Sequence, residues 1–295
     1  MKKVLILGGK GFVGKNLTEY LLSNRKDILL TCPDSSELNL LDEEGVEKFL
    51  KGNYYDVVIN AAIFNPRRHP NESTPEIEQD LRMFFNLEKC SAFYGKMLYF
   101  GSGAEFDKSK DIISAEEDRF INGIPKNQYG LAKYTIGKLI ENSKNIYNLR
   151  IFGLFGKYEN YKTTFISGAC CKAIKGLPIT IRQNVFFDYL FIDDFCRIIE
   201  WFIDNTPRYH TYNVTSGKKF DLVSLAEIVK QVSDKDIPVI VCKDGLANEY
   251  TASNGRLLSE VPDVRFTDMT VAIEKLYGYY VGVQDEIDVL SLLYQ

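Results

Sequence analysis

Val4-Leu5-Ile6-Leu7-Gly8-Gly9-Lys10-Gly11-Phe12-Val13-Gly14 is the stretch whose reading decides the fold. Residues 4–7 are continuously apolar, as in a strand buried on both faces of a parallel sheet. A glycine turn follows, and then Leu17, Tyr20 and Leu21 recur at helical spacing. Strand, glycine turn and helix form the context that a dinucleotide fingerprint requires. Gly8 permits the tight turn, Gly11 lets backbone approach a pyrophosphate, and Gly14 lets helix and strand pack closely. The phosphates are expected on the free N–H groups and positive dipole end of the new helix. The glycines are spaced three apart, not in the Gly-x-Gly-x-x-Gly form, so the flanking elements carry the reading.

Outward from that turn, strands are expected at 28–31, 56–60, 97–100 and 146–151, with helices at 43–50, 76–93 and 128–143 between them. Such alternation means a parallel sheet with right-handed crossovers and a ligand cleft beyond the carboxyl ends of the strands. Residues 103–126 read as polar and irregular, and beyond Gly156 the alternation loosens. There, helices are expected at 165–174, 193–203 and 222–232 and from Met269 onward, with strands at 177–181 and 212–214. The fold class is α/β, a Rossmann-like doubly wound parallel sheet with a smaller interleaved C-terminal lobe. The dinucleotide-binding domain is assigned to 1–156, with contributions from about 183–215, and the substrate lobe mainly to 157–295.

Composition narrows the function. The 295 residues are 45% hydrophobic and 26% charged, with net charge −4, a balance with no basic footprint for nucleic acid or an anionic membrane. No apolar run nears the roughly 18 residues of a membrane span, and the N-terminal apolar run is too short for a signal-peptide core. A cytoplasmic location is therefore expected. The six cysteines form no Cys-x-x-Cys pair and only two histidines exist, so no metal site is expected.

The chemistry concentrates in Tyr129-Gly-Leu-Ala-Lys133. Tyr and Lys four apart on a helix share a face. A free phenol ionises near pH 10, and a nearby ammonium favours its phenolate. Ser102 ends a strand 27 residues upstream, where its hydroxyl can polarise a substrate carbonyl while Tyr129 donates a proton. The ordered set of glycine turn, strand-end Ser and Tyr-x-x-x-Lys is far more specific than any member.

On these residues the chain resembles the extended short-chain dehydrogenase/reductase family, which holds nucleotide-sugar epimerases, dehydratases and ketoreductases. Further stretches carry the likeness over essentially the whole chain. Glu37-Leu-Asn-Leu-Leu-Asp42 is similar to a run in GDP-fucose synthases, and Asn60-Ala-Ala62 to the family's cofactor-contact turn. Leu149-Arg-Ile-Phe152, Asp188-Tyr-Leu-Phe-Ile-Asp-Asp194 and Tyr212-Asn-Val-Thr-Ser-Gly217 match other family segments. The resemblance implies a seven-stranded doubly wound domain, a small nucleotide-sugar lobe, and a homodimer formed through helices 76–93 and 128–143. It implies cofactor contacts at Gly8, Lys10, Gly11, Phe12, Val13, Gly14, Asn39, Leu40, Ala61, Ala62, Ile63, Tyr129, Lys133 and Phe152. Substrate contacts are expected at Ser102, Gly103, Arg67, Thr164, Arg182 and Tyr189.

The departures are equally informative. Gly103 and Ala104 follow Ser102 where the dehydratases resemble Thr-Asp-Glu, which argues against 4,6-dehydration. Ala104 and Thr164 stand where GDP-fucose synthases place an epimerising Cys and His. Phe187 replaces the arginine that usually contacts the substrate phosphates, leaving Arg182, Arg67 or Arg68 as alternatives, and Gly153 replaces an Asn common in the epimerases. What remains is hydride transfer plus one proton. The leading expectation is NADP(H)-dependent reduction of the 4-keto group of a nucleotide-linked deoxysugar. The alternatives are an NAD-dependent 4-epimerase and a non-catalytic nucleotide-binding regulator on the same fold. Asp34, 20 residues past Gly14, keeps NAD open, whereas Lys10, with Ser35 and Ser36 nearby, favours NADP(H).

Overall fold

The structure, a computed structural model, describes residues 1–64, 75–118 and 123–293. Six strands form one wholly parallel sheet: β1 (Lys2–Leu7), β2 (Ile28–Thr31), β3 (Tyr55–Asn60), β4 (Tyr94–Ser102), β6 (Ile146–Ile151) and β10 (Thr211–Val214). Their order is β10-β6-β4-β3-β1-β2. Side chains alternate across the sheet with period two. Val4, Ile6, Val57, Ile59 and Leu98 enter the core shared with α1 (Phe12–Asn24) and α6 (Ile192–Asp204). Leu5, Leu7, Val58, Met97 and Tyr99 face the opposite core, beneath α2 (Glu43–Gly52), α3 (Glu76–Glu88) and α4 (Gln128–Ile140). The chain thus has helices on both faces, as the doubly wound reading requires.

The seven-strand expectation is corrected to six among the described residues. After β2, Pro33 offers no N–H for a ladder. Asp34 then folds the chain on itself, its Oδ1 accepting from the Ser36 amide at 2.8 Å and its carbonyl from the Leu38 amide at 2.9 Å. Asp42 caps α2 through the Gly45 amide at 3.1 Å, so the next element is a helix and not an edge strand. Helices α3 and α4 end at Glu88 and Ile140, before their expected limits.

The region expected to be irregular holds β5 (Ile112–Ala115), which joins a second sheet with β9 (Phe186–Phe191), β11 (Lys219–Asp221) and β13 (Tyr250–Ala252) in the order β11-β9-β13-β5. Strand β7 (Gly153–Phe155) also pairs with β9, and β8 (Ile179–Asn184) pairs with β12 (Val239–Leu246) in a two-stranded ribbon. Helix α5 (Phe165–Ile174) lies against β8, α7 (Leu222–Ser233) against β8, β11 and β12, and α9 (Met269–Gly282) packs on α5 and α7. Two short helices, α8 (Gly255–Glu260) and α10 (Val289–Leu293), complete the chain. Among the described residues no helix is long and apolar enough to cross a membrane, and no group of His, Cys, Asp and Glu could hold a metal ion.

Candidate active site

The site is built at the carboxyl edge of the six-stranded sheet, where all the strands end on the same side. At the end of β1, Gly8 adopts φ +81°, and a Cβ there would lie 2.8 Å from the Ala61 and Ala62 backbone after β3. A Cβ on Gly14 would lie 2.3 Å from the Gly8 carbonyl, so α1 can begin this close only with glycine at that position. Gly11 is the N-cap of α1, with no side-chain cap and no acidic residue in the first turn. The helix therefore presents free N–H groups and its positive end without a protein acceptor, which fits a pyrophosphate. Phe12 and Val13 are half-buried against the core and fix the direction of that turn. Ala61 and Ala62 form the opposite lip, with Ile63 exposed beside them. Leu40 is buried beneath α3, and Asn39 is exposed with its side chain accepting from the Leu41 amide at 3.1 Å.

Lys10 projects from the turn and its Nζ donates to Asp34 Oδ2 at 2.7 Å. Each residue raises the charge of the other: the carboxylate lifts the lysine pKa, and the ammonium, with the Ser36 hydroxyl and amide, holds Asp34 below the usual carboxylate range. The two residues that argued for different cofactors are thus bonded to each other. Both are reached by solvent, and such pairs exchange partners at little cost.

Ser102, Tyr129 and Lys133 are brought together across β4 and α4. Ser102 closes β4 opposite Ile151 and caps a short turn over Gly103–Glu105. Its Oγ accepts from the Ala104 amide at 3.1 Å. That leaves the hydroxyl proton to donate outward, toward the Tyr129 phenol whose ionisation it favours. Lys133 is buried, its Nζ donating to Tyr99 Oη at 2.9 Å and to the Phe100 carbonyl at 2.8 Å. Burial lowers its pKa to about 8 despite the carboxylates of Asp80 and Glu105. The amine sits 5.8 Å from the centre of the Tyr129 ring. Burial raises the Tyr129 pKa, and the Ser102 hydrogen bond only partly offsets it. Burial thus outweighs the ammonium expected to depress this phenol, and the lysine donors go to Tyr99 and the Phe100 carbonyl.

Beneath Ser102 lies a buried ion pair that the sequence motifs did not signal. Glu105 accepts from Arg150 Nε at 2.9 Å and pairs with Arg150 Nη2 at 2.7 Å, both residues essentially without solvent exposure. The other Glu105 oxygen accepts from the Ser102 amide at 3.2 Å and from Asn148 at 3.1 Å. Arg150 reaches on to Asn213 Oδ1 at 3.2 Å, and Asn213 donates to the Ala115 and Ser253 carbonyls at 2.8 and 3.0 Å. One network thus joins the ends of β4, β6 and β10 to β5 and to the residue after β13.

The remaining expected contacts divide. Phe152 is buried, its ring 4.9 Å from that of Tyr250 and 6.2 Å from that of Phe106, and Gly103 is buried beside Tyr250. Tyr189 packs on Phe187 and Phe155 and lies against Gly153. Thr164 is the N-cap of α5, its hydroxyl donating to the Asn160 carbonyl at 3.0 Å. Arg182 is exposed on the β8–β12 ribbon, apart from the sheet that carries Ser102. Arg67, with Arg68 and His69, lies outside the described residues. Asp188 accepts from the Ser216 and Gly217 amides at 3.0 and 2.9 Å and so ties β9 to the turn after β10, with burial lifting its carboxyl to about 6. Phe187 packs on Tyr189 and Tyr250, so aromatic rings occupy the place read as a phosphate contact.

The model described as "NAD dependent epimerase/dehydratase family" matches residues 4–215. A GDP-L-colitose synthase from Yersinia pseudotuberculosis is 25% identical, over 95% of this chain and 98% of that protein. A GDP-L-fucose synthetase from Naegleria fowleri, solved with NADP bound, superposes with TM-score 0.84 at 17% identity, over 96% of this chain and 94% of the other. A GDP-mannoheptose C4 reductase from Campylobacter jejuni, with NADP bound, does so with TM-score 0.78 at 17% identity, over 95% and 98%.

The Glu105–Arg150 pair carries a direct prediction. Glu105→Ala strands a buried guanidinium and is expected to destabilise the protein by about 3–5 kcal/mol. Urea unfolding of the variant against wild type measures it, and a loss below about 1 kcal/mol would show that the network does not hold the strand ends.

Proposed function

From the chain's membership of the NAD dependent epimerase/dehydratase family, shown by the match over residues 4–215, we propose that it is a reductase using NADP(H). Its substrate in this reading is the 4-keto group of a nucleotide-linked deoxysugar. The carrying observation is the Ser102–Tyr129–Lys133 group, in which Ser102 has a proton to give and Tyr129 stays protonated. Ala104 and Thr164, at the positions where the resemblance places the epimerising acid–base pair, offer neither a thiol nor an imidazole. The named relatives act on GDP-sugars, which makes a GDP-linked sugar the first substrate to test.

NADPH, when bound on the Gly8–Gly14 cradle, supplies the hydride. The chain's own residues supply the rest. Ser102 donates to the ketone oxygen and draws charge onto it. Tyr129, kept neutral by burial, protonates that oxygen as the alkoxide forms. Lys133 stands close enough for its ammonium to favour the phenolate left behind. Lys10 would turn from Asp34 to a 2′-phosphate, and Asp34 remains satisfied by Ser36. A dimer through the exposed faces of α3 and α4 completes the proposal, and Phe85 and Leu139 are the large apolar residues left exposed there.

Three outcomes follow. With NADPH and a panel of GDP-, UDP- and dTDP-linked 4-keto-6-deoxyhexoses, absorbance at the reduced-nicotinamide band falls with at least one sugar, and Tyr129→Phe slows that loss about 10²–10⁴-fold. No loss with any member, together with epimerisation of a UDP-sugar, would instead establish the NAD-dependent 4-epimerase. The pH profile of kcat/KM declines as Lys133 loses its proton near pH 8, because the neutral amine no longer favours the Tyr129 phenolate. A profile flat to pH 9.5 contradicts that role. Lys10→Ala weakens NADPH binding roughly tenfold, the worth of one charge-assisted hydrogen bond after screening. NADH binding, followed by the same fluorescence titration, stays unchanged, and equal losses for both would remove Lys10 from the 2′-phosphate.

A further inference from the structure

A third hydroxyl converges on Ser102 and Tyr129, and no motif announces it. Tyr250 stands on β13, which pairs with β5 through Ile112 and with β9 through Phe187. These pairings carry its side chain from the C-terminal half of the chain to the end of β4. Its ring is held on three sides: Phe152 at 4.9 Å, Phe187 at 5.6 Å, and the Lys108 ammonium 4.0 Å from the ring centre. Only 5% of the residue is exposed.

The phenol oxygen is aimed at the residue that follows Ser102. A Cβ on Gly103 would lie 2.3 Å from Tyr250 Oη, a separation no side chain tolerates. Glycine at 103 therefore gives room to this hydroxyl. Among the described residues no atom meets hydrogen-bond geometry with the hydroxyl. Ser102 carries the hydroxyl nearest to it, close enough to bear on the ionisation of both Tyr250 and Tyr129, and its single proton can serve only one of the two phenols at a time. Burial raises the Tyr250 pKa, so the group is a donor at every working pH. A buried donor without a partner is a standing cost to the folded chain, and such groups in native proteins call for a reason. Neither packing nor the backbone supplies one here, since phenylalanine would fill the same space among the same rings.

We propose that Tyr250 is a substrate-binding residue whose phenol donates to a sugar oxygen on, or next to, the carbon that is reduced. The inference rests on the reductase reading for the name of that carbon. Its geometry, an unpaired donor beside Ser102 and Tyr129, stands without it. The C-terminal lobe then contributes a hydrogen bond to the reacting end of the sugar as well as surface to the nucleotide. Ser102 and Tyr250, reaching the substrate from different sheets, would together fix which face of the sugar meets the cofactor.

The test compares wild type with Tyr250→Phe by calorimetry in the presence of NADP⁺. GDP-, UDP- and dTDP-hexoses are each titrated against their own nucleoside diphosphate. Wild type is expected to bind at least one sugar nucleotide more tightly than the diphosphate alone. Tyr250→Phe is expected to lose roughly tenfold of that sugar affinity, one hydrogen bond's worth, with diphosphate binding unchanged. The melting temperature of the ligand-free variant is expected to equal or exceed that of wild type, since an unpaired buried hydroxyl has been removed. Sugar affinity unaffected by the substitution, equal losses for sugar nucleotide and diphosphate, no sugar-dependent affinity in wild type, or a lowered melting temperature would each overturn the proposal. None of these readouts uses NADPH consumption, so failure of the reductase reading would appear separately, as binding without turnover.

Discussion

Two opposite charges with no access to water, Glu105 and Arg150, set the frame on which the cleft depends. An ion pair taken out of water recovers its desolvation cost only if the remaining lone pairs and protons are satisfied. Here they are: the carboxylate also accepts from the Ser102 amide and Asn148, and the guanidinium reaches Asn213. The same bonds fix where β4 ends relative to β6 and β10. Ser102 is therefore placed by its own amide from below while its Oγ is turned by the Ala104 amide. A hydroxyl oriented by two fixed backbone contacts needs little reorganisation to meet a carbonyl.

The network also couples the two sheets. Asn213 bonds the carbonyl of Ala115 on β5 and that of Ser253 just past β13. Strand β13 is three residues long and adds little on its own. Held at both ends by the buried network and by β9, it carries Tyr250 to Gly103. Phe152, Phe187 and Tyr250 then form an aromatic wall on the side of Ser102 away from the glycine turn. This wall offers stacking surface and one phenol, with the Lys108 ammonium 4.0 Å from the centre of the Tyr250 ring.

What the sequence made legible was whatever is encoded locally. The run 4–14 states its strand, turn and helix within eleven residues, and Tyr129 and Lys133 share a helix face by spacing alone. The doubly wound sheet follows from alternation, and its missing edge strand from Pro33 and Asp34, whose signals were present but read as a cofactor question. Three features stayed hidden because they join residues distant in the chain. Strand β5 is short and needs β13, more than a hundred residues later, as its partner. Arg150 resembles a surface residue until Glu105 and Asn213 close around it. The partner of Lys133 is Tyr99 on another element, so helix spacing predicted the proximity of Tyr129 but not the competition for the ammonium. A lone Tyr250 in a polar segment carries no pattern at all.

In the proposed reaction a hydride enters the sugar at C4 while Ser102, Tyr129 and Lys133 manage one proton. The most direct measurement follows deuterium from NADPH labelled at both C4 positions of the nicotinamide into the product of a 4-keto nucleotide sugar. One deuterium bound to sugar C4, seen by proton NMR as the loss of that signal, is the predicted result. A product whose C4 carries only protium, or a sugar returned unreduced with its configuration inverted, would contradict it.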